Sequence, residues 1–509
     1  MASFQFSFGP TGGPKKEEQT LHLGVLADLS GQAADPPAPV ASRKFLEIDI
    51  DNFDERLERI GPRLAFQVPN SVTGKGELAV VLAFKSLDDF GPGPVTAQVG
   101  LLGKLWAARE KLARMRSKPQ GADLQGKPQL RALLSQALDD AELVQAIIPA
   151  ADAPQAPEAP TTAEAPASGL SELDQLLGLK PGEGPQRRPS SPVQGIIEQA
   201  LAGTSRISDQ AVQSLGALID RLDEVYGQQL TLVLRHDAFK TLEATWRGLF
   251  YLVTNVETDE ELKIRVLDVS KADLASALRE AESPLLPKLR HEPFGCLMGD
   301  YYFDHRGDDV AILGGMAALA AAVDLPFVTA AAPSLLGLAA WRQLRVTADL
   351  GGVLEDAAHA DWRRLAASGA AERLFLTMPR FLARLPYGRK TNPADGVEFE
   401  EKVNVNSPAD FAWCNAAYGV GVVVARAFRE EGWDARIAGG GEASMIESLP
   451  VLAYTDRHGD TEMMCPTEVS LTVDAGMILT RVGLTPLLHM KNSDRAIFAY
   501  APTLRRPAR

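Results

Sequence analysis

Apolar positions recur along the chain at two spacings, and the clearest change from one to the other falls within residues 239–278. Phe239, Leu242, Trp246, Leu249 and Val253 are three or four residues apart, so they share one face of a helix. Glu243 and Arg247 lie one turn apart on that helix and can support each other. A polar stretch at 255–260 ends it. Leu262, Ile264 and Val266 then alternate with Lys263 and Arg265, the period of a half-buried strand. Ser270 followed by Asp273 is a helix start of capping-box type, and Leu274 and Leu278 continue the next helix. Trp246 reads as the core anchor of this helix–strand–helix unit, because a large aromatic on an apolar helical face is usually there for packing.

Upstream, Phe4, Phe6 and Phe8 alternate with polar neighbours at the terminus, either as a short strand able to join another molecule's sheet or as a loose tail. Residues 21–27 (LHLGVLA) read as a strand. Asn52, with Glu55 three residues on, should open a helix that buries Phe53, Leu57 and Ile60. Strands follow at 63–68 and 77–84. A GPGP turn at 91–94 then feeds one long helix with Val95, Val99, Leu102 and Trp106 on a single face. That order predicts a small N-terminal α/β domain over 1–149. Residues 150–168, rich in Ala and Pro and without apolar periodicity, predict a linker. Residues 169–205 carry two short amphipathic segments, one with Leu173, Leu176 and Leu177, the other with Ile196, Ile197 and Leu201. Residues 206–509 predict a larger mixed α/β domain, opened by a helix over 211–233. Its Gly439, Gly440 and Gly441 read as a turn needing positive φ rather than a phosphate loop, since no Lys-Ser or Lys-Thr follows.

Composition narrows the function classes. The 509 residues are 45% hydrophobic and 23% charged, as in a globular protein of several domains. A net charge of −14 argues against nucleic acid as a partner, because phosphate binding needs basic clusters. Cys296, Cys414 and Cys465 are far apart and in no metal spacing, which suits a reducing compartment. Residues 1–16 lack the pattern of a signal peptide, and the apolar run at 310–323 is too short to span a bilayer, so a cytoplasmic location without membrane insertion is expected. Asp300, Asp304, His305, Asp308 and Asp309 could suggest a metal site or an enzyme. A strand pattern precedes them and Arg306 sits inside the run, so a solvated loop is the preferred reading. The histidines show no partner pattern with Ser or Cys. No catalytic residue, metal or cofactor is expected.

Two word patterns carry a resemblance. LEATWRGL and LKIRVLDVSK, with GCLMGDYYFD, LFLTMPRFLARLPYG, FAWCNAAYGVG and the run from PTEVSLTV, resemble the large sheath subunit (TssC, or VipB) of bacterial type VI secretion systems. LEIDIDNFDERL, ELAVVLAFKSLDDF and AQVGLLGKLWAAREKL resemble the small subunit (TssB, or VipA). The chain thus resembles a covalent fusion of the two, expected to pack together as a heterodimer would. The resemblance implies a structural component of a contractile sheath, with an end cap or assembly regulator as the alternative. It implies other sheath subunits, inner tube and baseplate proteins as partners, in a homo- or hetero-oligomer. It further implies an AAA+ unfoldase of the ClpV kind docking on Ile196, Ile197 and Leu201, although that helix could instead pack on its own domain. Leu242, Trp246, Leu249, Ile264 and Val266 form the core of the shared signature. Large subunits of the family continue beyond the word that ends near Phe498 into a further domain that exchanges strands. A chain without it is expected to form monomers or small oligomers on its own.

Overall fold

The computed structural model describes residues 6–7, 20–33, 37–116, 209–344, 350–437, 441–455 and 458–505. The linker, the two amphipathic segments, Phe4 and Phe8 lie outside them.

In the first segment, strand β1 is Phe6–Ser7, β2 is Leu21–Ala27 and β3 is Leu46–Ile48. Helix α1 spans Phe53–Ile60, and its start differs from the sequence reading. Asn52 makes no capping bond. Instead Asp49 Oδ1 accepts from the backbone N–H of Asp51 and of Asn52 at 3.0 and 2.9 Å, so the turn before the helix is tied by Asp49. Strands β4 (Arg63–Pro69) and β5 (Glu77–Ala83) form a hairpin. The long helix expected next is broken into α2 (Pro92–Gln98) and α3 (Gly100–Arg116), because Val99 takes an extended ψ of 104°. The break costs little burial, since Val95, Val99 and Leu102 all remain in the core.

The second segment opens with α4 (Asp209–Leu234) and α5 (Asp237–Thr254), then β6 (Leu262–Asp268), α6 (Lys271–Arg279), α7 (Leu285–His291) and β7 (Phe294–Phe303). The Ser270 cap forms as read, its hydroxyl accepting from Asp273 N–H. Next come α8 (Gly307–Val323), β8 (Phe327–Ala331), α9 (Leu350–Glu355), α10 (Ala360–Ala367) and β9 (Leu374–Met378). Two short strands, β10 (Phe381–Leu382) and β11 (Trp413–Cys414), pair with each other before α11 (Ala417–Glu431) and β12 (Arg436–Ile437). The chain continues through β13 (Met445–Ile446), the β14 (Ala453–Thr455) and β15 (Thr461–Met463) hairpin, α12 (Val473–Arg481), β16 (Leu484–His489) and β17 (Ala496–Phe498). Gly441 is extended, with φ −111°, so it does not supply the positive φ expected of the glycine run.

One nine-stranded sheet organises both segments, in the order β13-β17-β16-β9-β8-β7-β2-β6-β3. Strands β16, β9, β8, β7, β2 and β6 are parallel, with antiparallel strands at both edges. The N-terminal part is therefore not closed on itself. Its strand β2 lies between β6 and β7 of the second segment, in register from Leu21↔Leu262 to Ala27↔Asp268. The cause is in β2 itself: all seven residues are buried, and such a run without polar alternation needs cover on both faces and both edges. Side chains of β2 alternate between two cores. Leu21, Leu23, Val25 and Ala27 join the core covered by α1 to α5 and α11. Leu26 joins the core covered by α6, α7, α8, α10 and α12. Gly24 permits the close β2–β7 approach, because a Cβ there would meet Leu297 Cδ1 at 2.7 Å.

Candidate functional site at the joint between the segments

The residues singled out as the signature gather where the two segments meet. On α5, Phe239, Leu242, Trp246 and Leu249 are buried, as are Ile264 and Val266 on β6. Trp246 is the hinge-pin of the joint: its Nε1–H donates to the Leu29 carbonyl at 3.0 Å, and its ring stands edge-on to Phe53 at 5.7 Å. Both partners belong to the first segment. Phe84 and Phe90 stack at 4.0 Å, and Phe239 closes against both. Just past β2, the N–H groups of Leu29 and Ser30 donate to Asp268 Oδ1 at 2.8 and 3.1 Å. Thr96 and Tyr226 share a buried hydroxyl bond of 2.7 Å, and Gln229 Oε1 accepts from Ser71 N–H at 2.8 Å.

Beneath this joint lies a buried ion network. The Glu243 side chain is fully buried, and its Oε1 accepts from Arg384 Nε at 2.7 Å and from Arg247 Nε at 2.8 Å. Arg384 also donates to Glu401 Oε2 at 2.8 Å, and that oxygen accepts the Tyr387 N–H at 3.0 Å. The Arg384 guanidinium lies 4.0 Å from the centre of the Tyr387 ring, and Arg247 reaches the Tyr387 hydroxyl at 3.1 Å. That hydroxyl lies 3.4 Å from the Phe90 carbonyl of the first segment. Burial alone would push the Glu243 carboxyl up; the Arg384 and Arg247 guanidiniums outweigh it and hold it below the ordinary glutamate range. The Glu243–Arg247 pair, read from spacing as mutual support along a helix, is thus part of a buried cluster. Arg384 and Glu401 escaped sequence reasoning because 141 residues separate Arg384 from Glu243.

The acidic run has a structural arrangement. Asp304 is buried, which corrects the expectation of a solvated loop. It accepts from Arg306 N and Nε at 2.8 and 2.6 Å and from the Ser334 hydroxyl at 2.8 Å. Burial works against its charge, but these donors outweigh it and hold the carboxyl down at about 2. Asp309 accepts from Asp304 N–H at 2.9 Å and pairs with Lys271 at 2.7 Å, while Asp308 and Asp309 occupy the first turn of α8, where its dipole favours them. His305 stacks on His359 with ring centres 3.9 Å apart. Asp300 lies apart from this group: half-buried on β7, it accepts from the Tyr418 hydroxyl at 3.0 Å, and loss of solvent pushes its carboxyl up. Among the described residues, no three or more His, Cys, Asp or Glu side chains converge as a metal set. No helix among them is long and apolar enough to cross a membrane.

Of the other candidates, Phe6 is placed in β1, which pairs antiparallel with β12 of the same chain, Phe6 opposite Ile437. Phe4, Phe8, Ile196, Ile197 and Leu201 fall outside the described residues.

A mixed α/β sheet completed by an N-terminal strand, with its joint built from the signature words, defines a protein whose two segments share one sheet. Comparison with known proteins agrees with this. The VipB family, described as a tail sheath N-terminal domain, matches residues 216–505, and the VipA family of the type VI secretion system matches residues 4–151. The type VI secretion system sheath protein TssC1 of Pseudomonas aeruginosa is 41% identical over 330 residues, covering 62% of this chain and 66% of TssC1. The sheath protein TssB1 of the same organism is 44% identical over 149 residues, covering 28% of this chain and 84% of TssB1. The chain belongs to the type VI secretion sheath-protein family and carries a small-subunit and a large-subunit segment in one polypeptide. Proteins of this family are structural components.

Proposed function

We propose that the chain serves as a pre-joined sheath protomer of a contractile injection apparatus, contributing contacts rather than catalysis. The observation that carries this reading is the placement of β2 between β6 and β7. The small-subunit segment completes the large-subunit sheet, so the two act as one rigid building block. The residues that looked most like chemistry serve architecture instead. Asp304 ties the strand end to α8, and Glu243 with Arg384 and Arg247 braces α5.

On this reading the partners are other sheath protomers, the inner tube and the baseplate, met in the cytoplasm. Ile196, Ile197 and Leu201 form the docking helix for a ClpV-type unfoldase. Phe4, Phe6 and Phe8 are the residues exchanged with a neighbouring protomer on assembly; within the chain, Phe6 lies opposite Ile437 of β12.

Negative-stain microscopy of the purified chain, alone and co-expressed with its operon neighbours, tests the reading. Ordered tubes or sheath-like helical arrays in the co-expressed sample are the expected result. Dispersed particles under both conditions, with no co-purifying sheath or tube protein, would overturn it.

A further inference from the structure

Both edges of the nine-stranded sheet are met by side chains of the same chain. On β3 the Glu47 carbonyl accepts from Arg56 Nε at 2.9 Å, and on β13 the Met445 carbonyl accepts from Arg426 Nη1 at 2.9 Å. The β4–β5 hairpin is different. Its strand β4 turns an outer edge to residues 30–32: Arg63 N–H donates to the Ser30 carbonyl at 3.1 Å, the Arg63 carbonyl accepts from Gln32 N–H at 2.8 Å, and Ala65 N–H donates to Gln32 Oε1 at 2.7 Å. The odd-numbered residues of β4 thus aim their backbone groups away from β5. The register, from Arg63↔Ala83 to Pro69↔Glu77, sends those of Ala83, Val81, Ala79 and Glu77 out on the far side. Ala83 N–H there donates to the exposed Gln98 side chain at 2.8 Å, but the N–H and carbonyl groups of Ala79 and Val81 meet no described residue. The side chains of Glu77, Ala79, Val81 and Ala83 are exposed, Val81 at 49%, while Val80 and Leu82 are buried. A free edge lined by small apolar side chains, with no lysine or proline on it, is a template for another strand.

We infer that β5 pairs antiparallel with β5 of a second copy of this chain, about a two-fold axis beside Val80, joining the two hairpins into one four-stranded sheet. Self-complementarity selects this partner. With Val80 opposite its own copy, Ala79 faces the partner's Val81 and Val81 faces the partner's Ala79, so the open backbone groups of both strands exchange bonds. The charges agree with the same register. Glu77 and Arg63 sit at opposite ends of the exposed face of the hairpin, and neither forms an ion pair with a described residue of its own chain. Across the axis, Glu77 faces the partner's Ala83, and one strand farther on lies the partner's Arg63. The two strand spacings between them, about 10 Å, are bridged by a glutamate and an arginine side chain reaching over an alanine methyl. The two-fold forms this pair twice, once at each end of the seam. Parallel in-register pairing would instead set Glu77 beside its own copy, a like-charge contact that destabilises a ladder. This inference does not depend on the sheath reading.

The test is sedimentation of the full-length chain over a dilution series in the micromolar range, which should show a monomer–dimer equilibrium. Val81→Pro removes an outward N–H without touching a bond of the hairpin, so it should abolish the dimer while the thermal transition of the protein is retained. Glu77→Arg and Arg63→Glu should each weaken dimerisation about tenfold, and the two combined in one chain should restore it. A monomer at every concentration, a dimer that Val81→Pro leaves intact, or charge variants that fail to rescue each other would each overturn the assignment.

Discussion

Replacing Glu243 with alanine removes the carboxylate from between two guanidiniums that stay behind. Arg384 keeps its bond to Glu401, whereas Arg247 keeps only the Tyr387 hydroxyl at 3.1 Å. Breaking a buried ion pair by deleting one partner costs about 3–5 kcal/mol. The Arg384 side chain is 8% exposed and cannot turn to water, while that of Arg247 is 18% exposed and can do so in part. That partial escape places the expected loss near the lower end, about 3 kcal/mol, or somewhat more than a hundredfold in the folding equilibrium. The assay is urea unfolding followed by tryptophan fluorescence, read as a drop in midpoint at unchanged slope. Glu243→Leu combined with Arg247→Met should recover most of the loss, because Arg384 keeps its pairing with Glu401 and no charge of the cluster is left unpaired. A sign follows for pH as well. The Glu243 carboxyl is held below its unfolded range, so its contribution is complete above that range and is lost as pH falls through the folded value. Glu243→Ala should therefore flatten the acid limb of the stability curve. A loss under about 1 kcal/mol, or a double variant as unstable as the sum of its singles, would refute the reasoning.

Three further outcomes follow from the same geometry. Asp304→Asn should destabilise the protein at neutral pH and abolish the part of its acid sensitivity between the ordinary value of 3.8 and about 2, measured by unfolding at stepped pH. Asp300→Asn should act in the opposite sense. Burial raises this carboxyl, so its stabilising share is present at low pH and lost as pH rises through the folded value; the amide should remove that slope and leave stability at pH 7 equal or higher. Proteolytic cleavage at an introduced site near Ala159 should leave the two fragments co-eluting on gel filtration at micromolar concentration, and parting only in denaturant, because β2 is bonded on both edges.

Local patterns were legible and long-range pairing was not. Helix α5, strand β6 and helix α6 follow from apolar spacing and the Ser270 cap, and they stand where the spacing puts them. The break at Val99 was hidden because both pieces keep their apolar residues on the same buried side. Asn52 looked like a cap, but Asp49 took the turn, a competition between two short polar side chains that sequence alone does not decide. The signal for the shared sheet lay in LHLGVLA. A run whose one polar residue is His22 marks a strand covered on both faces, whereas the hairpin strands β4 and β5 mix exposed and buried positions. What no local pattern contains is the identity of the neighbours, β6 and β7, which lie more than two hundred residues downstream.

That placement also explains why a single chain suits this architecture. The path from β6 through α6 and α7 to β7 leaves a gap one strand wide, about 10 Å between the strands on either side. If β2 is withdrawn, both of those strands show open edges and both cores lose their cover at once. Leu21, Leu23 and Val25 leave one core and Leu26 the other. At about 1.5–3 kcal/mol for each large apolar side chain, those four alone contribute about 6–12 kcal/mol. That is comparable with the whole net stability of a domain, about 5–15 kcal/mol. Neither segment is therefore expected to hold its native sheet alone, and an unpartnered second segment would carry two exposed parallel edges into any encounter with other chains. Joining the segments supplies β2 in a one-to-one ratio and makes its insertion an intramolecular step. The fusion thus acts at the folding step: it supplies, within one chain, the strand that closes the sheet the two segments share.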